Sequence, residues 1–229
     1  ADDGVDAIVG LVLAPHYSRF SIGQYTGRAA AALDGSGVPF RAVQSWATEP
    51  ALIDFLTDQV ATRRAAMQAA GHERVRVVFT AHSLPQRILE GGDPYPDQLR
   101  ATAEAVAARC GLQSGTDWEL AWQSAGRTPE PWLGPDILDW IDGAAGELDG
   151  VIVSSCGFVA DHLEVLYDLD IEAAAKAASV GLAFDRTASL NDHPAVMDAL
   201  AGRVADLANG GDEDRVDGLA DTPHDANSA

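Results

Sequence analysis

With 229 residues the chain is long enough for one large domain or two small lobes with a buried core. Its formal charge of −20 at pH 7 argues against nucleic acid or an anionic membrane surface as the main partner, since both want a basic patch, and it permits cation binding. No run is long and apolar enough to span a bilayer, no basic stretch opens a secretory signal, and Cys110 and Cys156 do not make a disulfide framework, so a reducing cytoplasm is expected.

Val5 to Leu13 is an apolar, β-branched run ended by Ala14-Pro15-His16 and reads as a buried strand. Ile22 to Leu33 reads as a helix stopped by Asp34-Gly35-Ser36-Gly37. Phe40 to Trp46 is a second strand. Glu49 to Ala70 is a helix with Pro50 in its first turn and Gly71 after its last. Val75 to Thr80 is a third strand, delivering His82 into the loop Ala81-His82-Ser83-Leu84-Pro85. Pro96 opens a helix whose apolar stripe is Leu99, Ala103, Val106 and Cys110, with Gly111 as its stop. Trp118 to Trp122 is a fourth strand, followed by a Pro-, Gly- and Trp-rich loop and a helix from about Asp136. Val151 to Val153 is a fifth strand, Val180 to Phe184 a sixth, and His193 to Ala208 a last helix. Gly210 to Ala229 is acidic, poor in large apolar residues and expected to be disordered. Strands alternating with helices imply α/β architecture with a mostly parallel sheet covered on both faces, and functional groups at the carboxyl ends of its strands.

One stretch carries the densest chemistry. Gly157 to Glu172 follows the fifth strand directly, and Asp161 with Glu164 three residues on makes a capping-box pattern, so a helix is expected to start there. On it Glu164, Asp168 and Glu172 fall at i, i+4 and i+8 and share one face. Like charges at that spacing weaken a helix by roughly 0.2–0.5 kcal/mol per pair, so the file is either a solvated acidic face or a path for a hard cation. His82 at a strand end is either a satisfied structural histidine or, paired with Glu164, a borderline N/O ligand set for a divalent first-row metal that also accepts protons near neutral pH. No Walker loop or GxGxxG stands at a strand–helix junction, so nucleotide binding has little support. Trp122, Trp132, Trp140 and Tyr25 either wall a flat aromatic ligand or pack in the core, core packing being preferred for Trp140, and Cys156 reads as a buried inert thiol.

Five segments together resemble the ferrochelatases, which insert ferrous iron into a porphyrin. They are Leu13-Ala14-Pro15-His16-Tyr17-Ser18, Thr80 to Pro85, Gly92-Asp93-Pro94-Tyr95-Pro96-Asp97-Gln98-Leu99, Trp122 to Asp136, and Gly157 to Asp168, in family order over residues 8 to 205. The Thr128-Pro129 form of the tryptophan loop is most similar to monoderm bacterial enzymes, which act on coproporphyrin III. The resemblance implies that His82 and Glu164 are the catalytic and metal-site pair, that Asp168 and Glu172 are outer carboxylates holding or relaying a hydrated cation, and that Tyr25 faces the porphyrin. It implies two Rossmann-like chelatase lobes with parallel sheets flanked by helices: residues 1–40 the remainder of the first lobe, 41–190 the second, and 191–209 a helix returning to the first. The opening part of the first lobe, with much of the porphyrin-binding wall, is expected to be missing. The implied partners are a porphyrin and Fe2+ as substrates of a monomer, with no nucleic acid, no membrane segment and no permanently bound cofactor. Some relatives hold a [2Fe–2S] cluster on four cysteines; two cysteines cannot supply that ligation, so no cluster is expected. Two readings remain beside this one: another tetrapyrrole chelatase, and a non-catalytic porphyrin- or metal-binding fragment.

Overall fold

The computed structural model describes residues 4–211. The stretch expected to be a disordered tail lies outside the described residues from 212 onward. The elements in order are β1 (Ile8–Leu11), α1 (Ile22–Ala32), β2 (Phe40–Val43), α2 (Pro50–Ala69), β3 (Val75–His82), α3 (Arg87–Glu90), α4 (Tyr95–Cys110), β4 (Trp118–Gln123), α5 (Ile137–Gly143) and β5 (Gly150–Ser154). A composite helix follows: α6 (Leu163–Val165), a π-helical segment (Leu166–Ala173) and α7 (Ala174–Ser179). The chain closes with β6 (Ala183–Arg186) and α8 (Pro194–Ala208).

All strand pairing is parallel among the described residues, in a two-stranded sheet β1-β2 and a four-stranded sheet β4-β3-β5-β6. The α/β expectation with flanked parallel sheets therefore holds. In the larger sheet the two-residue alternation of a strand divides the core in two. Val77, Phe79, Ala81 and Ile152 pack with α2 and α4 in a cluster that runs on to Val43, Val196 and Leu200. Val78, Val151 and Val153 pack on the opposite face with Ile137, Ile141, Val165, Leu169 and Ala177. Every residue of β5 is buried, as its unbroken apolar run requires.

Several boundaries differ from those expected. The first strand covers only Ile8–Leu11, because its partner β2 offers four residues, Phe40–Val43, in register. Val5 and Leu13, beyond the pairing, are exposed. Trp46 is not in a strand; its ring is buried and its backbone N–H donates to the Pro15 carbonyl. The sixth strand begins at Ala183 because Val180 caps α7. A division after residue 40 falls within β2, which lies in the small sheet with β1. Helix α8 packs on β1, β2 and α2. The short helix α3, after the His82 loop, was not expected.

Candidate active site

The carboxyl ends of β3, β4 and β5 lie side by side, and each delivers one part of the site. Strand β3 ends at His82 itself. The His82 Nδ1 sits 2.6 Å from the Ser83 carbonyl oxygen, an acceptor, so Nδ1 carries the proton and Nε2 of the neutral ring keeps its lone pair. That Nε2 faces Glu164 Oε2 at 4.0 Å. The gap is too long for a hydrogen bond. The two side chains would be able to hold one divalent ion between them, the imidazole supplying a nitrogen ligand and the carboxylate an oxygen. The side chains of His82 and Glu164 are 36% and 49% exposed, so incoming species reach both. Tyr95 Oη donates to the His82 carbonyl at 3.1 Å and steadies the strand end.

Glu164 reaches that position because the chain after β5 crosses β3 at close range. Gly157 donates its backbone N–H to the Thr80 carbonyl, and a Cβ added there would lie 2.3 Å from Ala81 Cβ. Only glycine permits the crossing. Next to it Phe158 brings its ring centroid within 6.4 Å of His82 and 5.3 Å of His162.

The helix start differs from the capping-box expectation. The N-cap residue is His162, in extended conformation and with no side-chain cap bond. The Asp161 carboxylate instead accepts from Ser189 Oγ at 2.8 Å and Asn191 Nδ2 at 3.1 Å, and it pairs with Arg186. These hydrogen bonds, that to Asn191 foremost, hold its carboxyl below the usual range.

The file Glu164, Asp168, Glu172 runs along one helix, as expected, but the helix changes type after Val165. In an α-helix four residues overshoot a full turn. In a π-helix, with its wider i→i+5 rings, they fall short of one. Glu164 stands in the short α turn, and Asp168 and Glu172 both stand in the π segment, so their interval falls short of a full turn.

Strand β4 contributes Gln123 and Ser124, neither anticipated as a site residue. Gln123 is fully buried; its Oε1 accepts from Thr80 Oγ1 at 2.9 Å and its Nε2 points to the Glu164 carbonyl at 3.5 Å. Ser124 has φ 59° and donates its hydroxyl to Asp168 Oδ2. A cavity of about 370 Å³ opens here, lined by Gln123, Ser124, Arg127, Asp136, Tyr167, Asp168 and Glu172 among others. Asp136, the N-cap of α5, is raised above the usual carboxylate range, mainly by burial and also by the neighbouring Asp139, Asp168 and Glu172. The outer carboxylates thus have a third acidic neighbour, which the sequence marked only as the start of a helix and the end of a resemblance segment. Among the described residues no group of three or more His, Cys, Asp or Glu side chains gathers closely enough to hold a metal ion. The inner pair and the outer acidic pocket are separate sets along one helix.

Tyr25 lies exposed on α1. The aromatic wall is smaller than the four rings named from sequence. Trp122 is buried against Tyr95 with centroids 5.7 Å apart, and Trp140 is buried, so both belong to the core. Trp132 is half-buried; its Nε1 donates to Thr128 Oγ1 at 2.9 Å, and its ring lies where a Cβ on Gly126 would be, 2.3 Å away. Cys156 is buried, its thiol pushed up to about 12 by desolvation, in keeping with an inert role.

A family model described as Ferrochelatase matches residues 1–207. The chain belongs to the ferrochelatase family. It is 42% identical over 203 residues to a coproporphyrin III ferrochelatase of Anoxybacillus flavithermus, covering 87% of this chain and 64% of that protein. It is 43% identical over 206 residues to that of Geobacillus kaustophilus, covering 89% and 64%. The chain thus spans about 64% of the length of these relatives. Among solved structures, SirB from Bacillus subtilis with Fe3+ shares the fold with a TM-score of 0.57 at 12% identity, over 90% of this chain and 73% of that one.

Proposed function

We propose that this chain carries the metal-inserting side of a ferrochelatase that places Fe2+ into coproporphyrin III, yielding coproheme for heme biosynthesis. The observation that carries the reading is the His82–Glu164 pair, 4.0 Å apart with the Nε2 lone pair turned toward the carboxylate. Metallation replaces two pyrrole N–H protons by one divalent ion, so the site must accept two protons and strip water from the metal. His82 Nε2 takes a pyrrole proton or ligates the ion, and Glu164 serves as its counterpart. Asp168 and Glu172 lead the hydrated cation inward along the helix. Tyr25 and Trp132 are the porphyrin-facing aromatics.

Coproporphyrin III is favoured over protoporphyrin IX by the Thr128-Pro129 loop and by the names of the relatives. Thr128 also holds the Trp132 indole. A monomer accommodates the reading, because both halves of the metal pair come from one chain. Two free cysteines agree with a reducing cytoplasm.

The test is anaerobic mixing of the chain with Fe2+ and either porphyrin, followed at the porphyrin absorption band. Conversion of coproporphyrin III faster than protoporphyrin IX is expected. Equal absence of conversion with both, in a chain that binds neither, contradicts the proposal.

A further inference from the structure

Arg186 is the last residue of β6, paired in register with Val153, and only 16% of its side chain is exposed. Its guanidinium makes a two-pronged pair with Asp170, Nε to Oδ1 at 2.5 Å and Nη2 to Oδ2 at 3.0 Å. Nη2 also reaches Asp161 Oδ1 at 3.3 Å, and Nη1 donates to the Thr187 carbonyl at 3.1 Å. Every nitrogen of the fork is therefore engaged. The two carboxylates it grips bracket the site: Asp161 stands three residues before Glu164, and Asp170 lies inside the π segment between Asp168 and Glu172.

The loop ahead of the helix is tied to the same region from the backbone. Asp161 N–H donates to Asn191 Oδ1 at 3.1 Å, and Asn191 N–H donates to the Val159 carbonyl at 2.6 Å. Asn191 itself sits at φ 50°, a conformation that asparagine tolerates better than most residues. The segment after β6 thus holds the entry to the helix, and Arg186 extends that hold into the π segment, which Ser124 grips from the other side through Asp168. A π-helix is rarely sustained without surrounding contacts that favour it over α. A rigid planar fork on a sheet strand supplies such a contact, and a flexible ammonium supplies it less well.

We propose that Arg186, through Asp170, is the positioning residue that holds the π segment in place and so sets the spacing between Glu164 and Asp168. The functional half of this inference rests on the reading of those carboxylates as the path of a divalent ion. The conformational half does not.

The test compares the unmodified chain with Arg186→Gln, Arg186→Lys, Asp170→Asn and the Gln/Asn double variant. Arg109→Gln, which removes a surface ion pair with Asp54, is the control. Two quantities are read: backbone amide exchange by mass spectrometry, and affinity for Co2+ alone from its visible absorption. Arg186→Gln is expected to speed exchange over residues 163–173 by about tenfold or more while β3 stays protected. It is also expected to weaken Co2+ binding by about fivefold or more, with Arg186→Lys recovering part of that loss. Asp170→Asn should reproduce the effect over the π segment, and the double variant should be no worse than Arg186→Gln alone, because that change already breaks the link to Asp170. Unchanged exchange over 163–173, Co2+ affinity equal to that of the control, or additive losses in the double variant would overturn the proposal. Unchanged exchange with Co2+ uptake intact defeats the clamp alone. An unmodified chain that takes up no Co2+ defeats the metal-path reading, and the functional half of this inference with it.

Discussion

His16 lies in the loop after β1 and His82 is the last residue of β3, yet they do opposite things. His16 is buried, with Nε2 2.8 Å from Thr102 Oγ1 and no partner on Nδ1 among the described residues, and desolvation lowers its pKa to about 3. The ring is neutral in the folded protein, whereas in the unfolded chain it titrates near 6.5. Between those values the unfolded state binds a proton that the folded state refuses, so stability falls as pH drops from about 6.5 toward 3, by up to ~4 kcal/mol from this group. His16→Gln, which keeps a partner for Thr102, should flatten the pH dependence of the urea midpoint between pH 6.5 and 4; an unchanged slope would show that His16 is not the group responsible. From sequence both histidines were placed at the carboxyl edges of their sheets. What separates them is the arrival of Thr102 from α4, 86 residues away, which no local pattern announces. His82 was legible as a candidate through its segment and its counterpart Glu164. Gln123 and Ser124 were not, because a polar residue at a strand end reads as the start of a loop until its partners Thr80 and Asp168 are in view.

At the scale of elements, the helix carrying the carboxylates shows where local rules reach their limit. The capping-box pattern at Asp161 and Glu164 marked the helix to within two residues, but the capping role was displaced by stronger tertiary partners, Ser189, Asn191 and Arg186, all from a later segment. The spacing of Glu164, Asp168 and Glu172 could not reveal the π segment, since residues four apart come near alignment in both α and π geometry. Asp168→Ala is expected to raise the apparent KM for the metal several-fold while leaving porphyrin binding close to that of the unmodified chain; unchanged metal affinity in a steady-state titration counts against the relay. Gly157→Ala forces two Cβ atoms to within 2.3 Å unless the loop moves. Overpacking of that kind costs about 1–3 kcal/mol, so the denaturation midpoint should fall, and insertion should fall further than stability because Glu164 follows the loop. An alanine variant with both properties intact would mean that the crossing is not the constraint.

For the molecule as a whole, the alternation of apolar strands with helices was enough to read a mostly parallel sheet covered by helices, because buried parallel strands are continuous apolar runs; its division into two sheets was implied only by the family resemblance. The extent of each strand was not readable: β1 and β2 limit one another to four residues, a matter of pairing rather than composition. The charge of −20 has a global consequence as well. Self-repulsion opposes compaction and is screened by salt, so the melting temperature should rise between about 0.02 and 0.5 M NaCl; a flat or falling profile would show that local ion pairs outweigh net charge. The central claim concerns two residues brought from β3 and from the helix after β5 to within 4.0 Å. Its most direct measurement is the anaerobic single-turnover insertion of Fe2+ into coproporphyrin III by the unmodified chain and by His82→Ala, with porphyrin binding followed separately by fluorescence quenching. The account predicts insertion by the unmodified chain and, in the variant, porphyrin binding within a few-fold of it but no insertion. Normal insertion by His82→Ala would contradict the account.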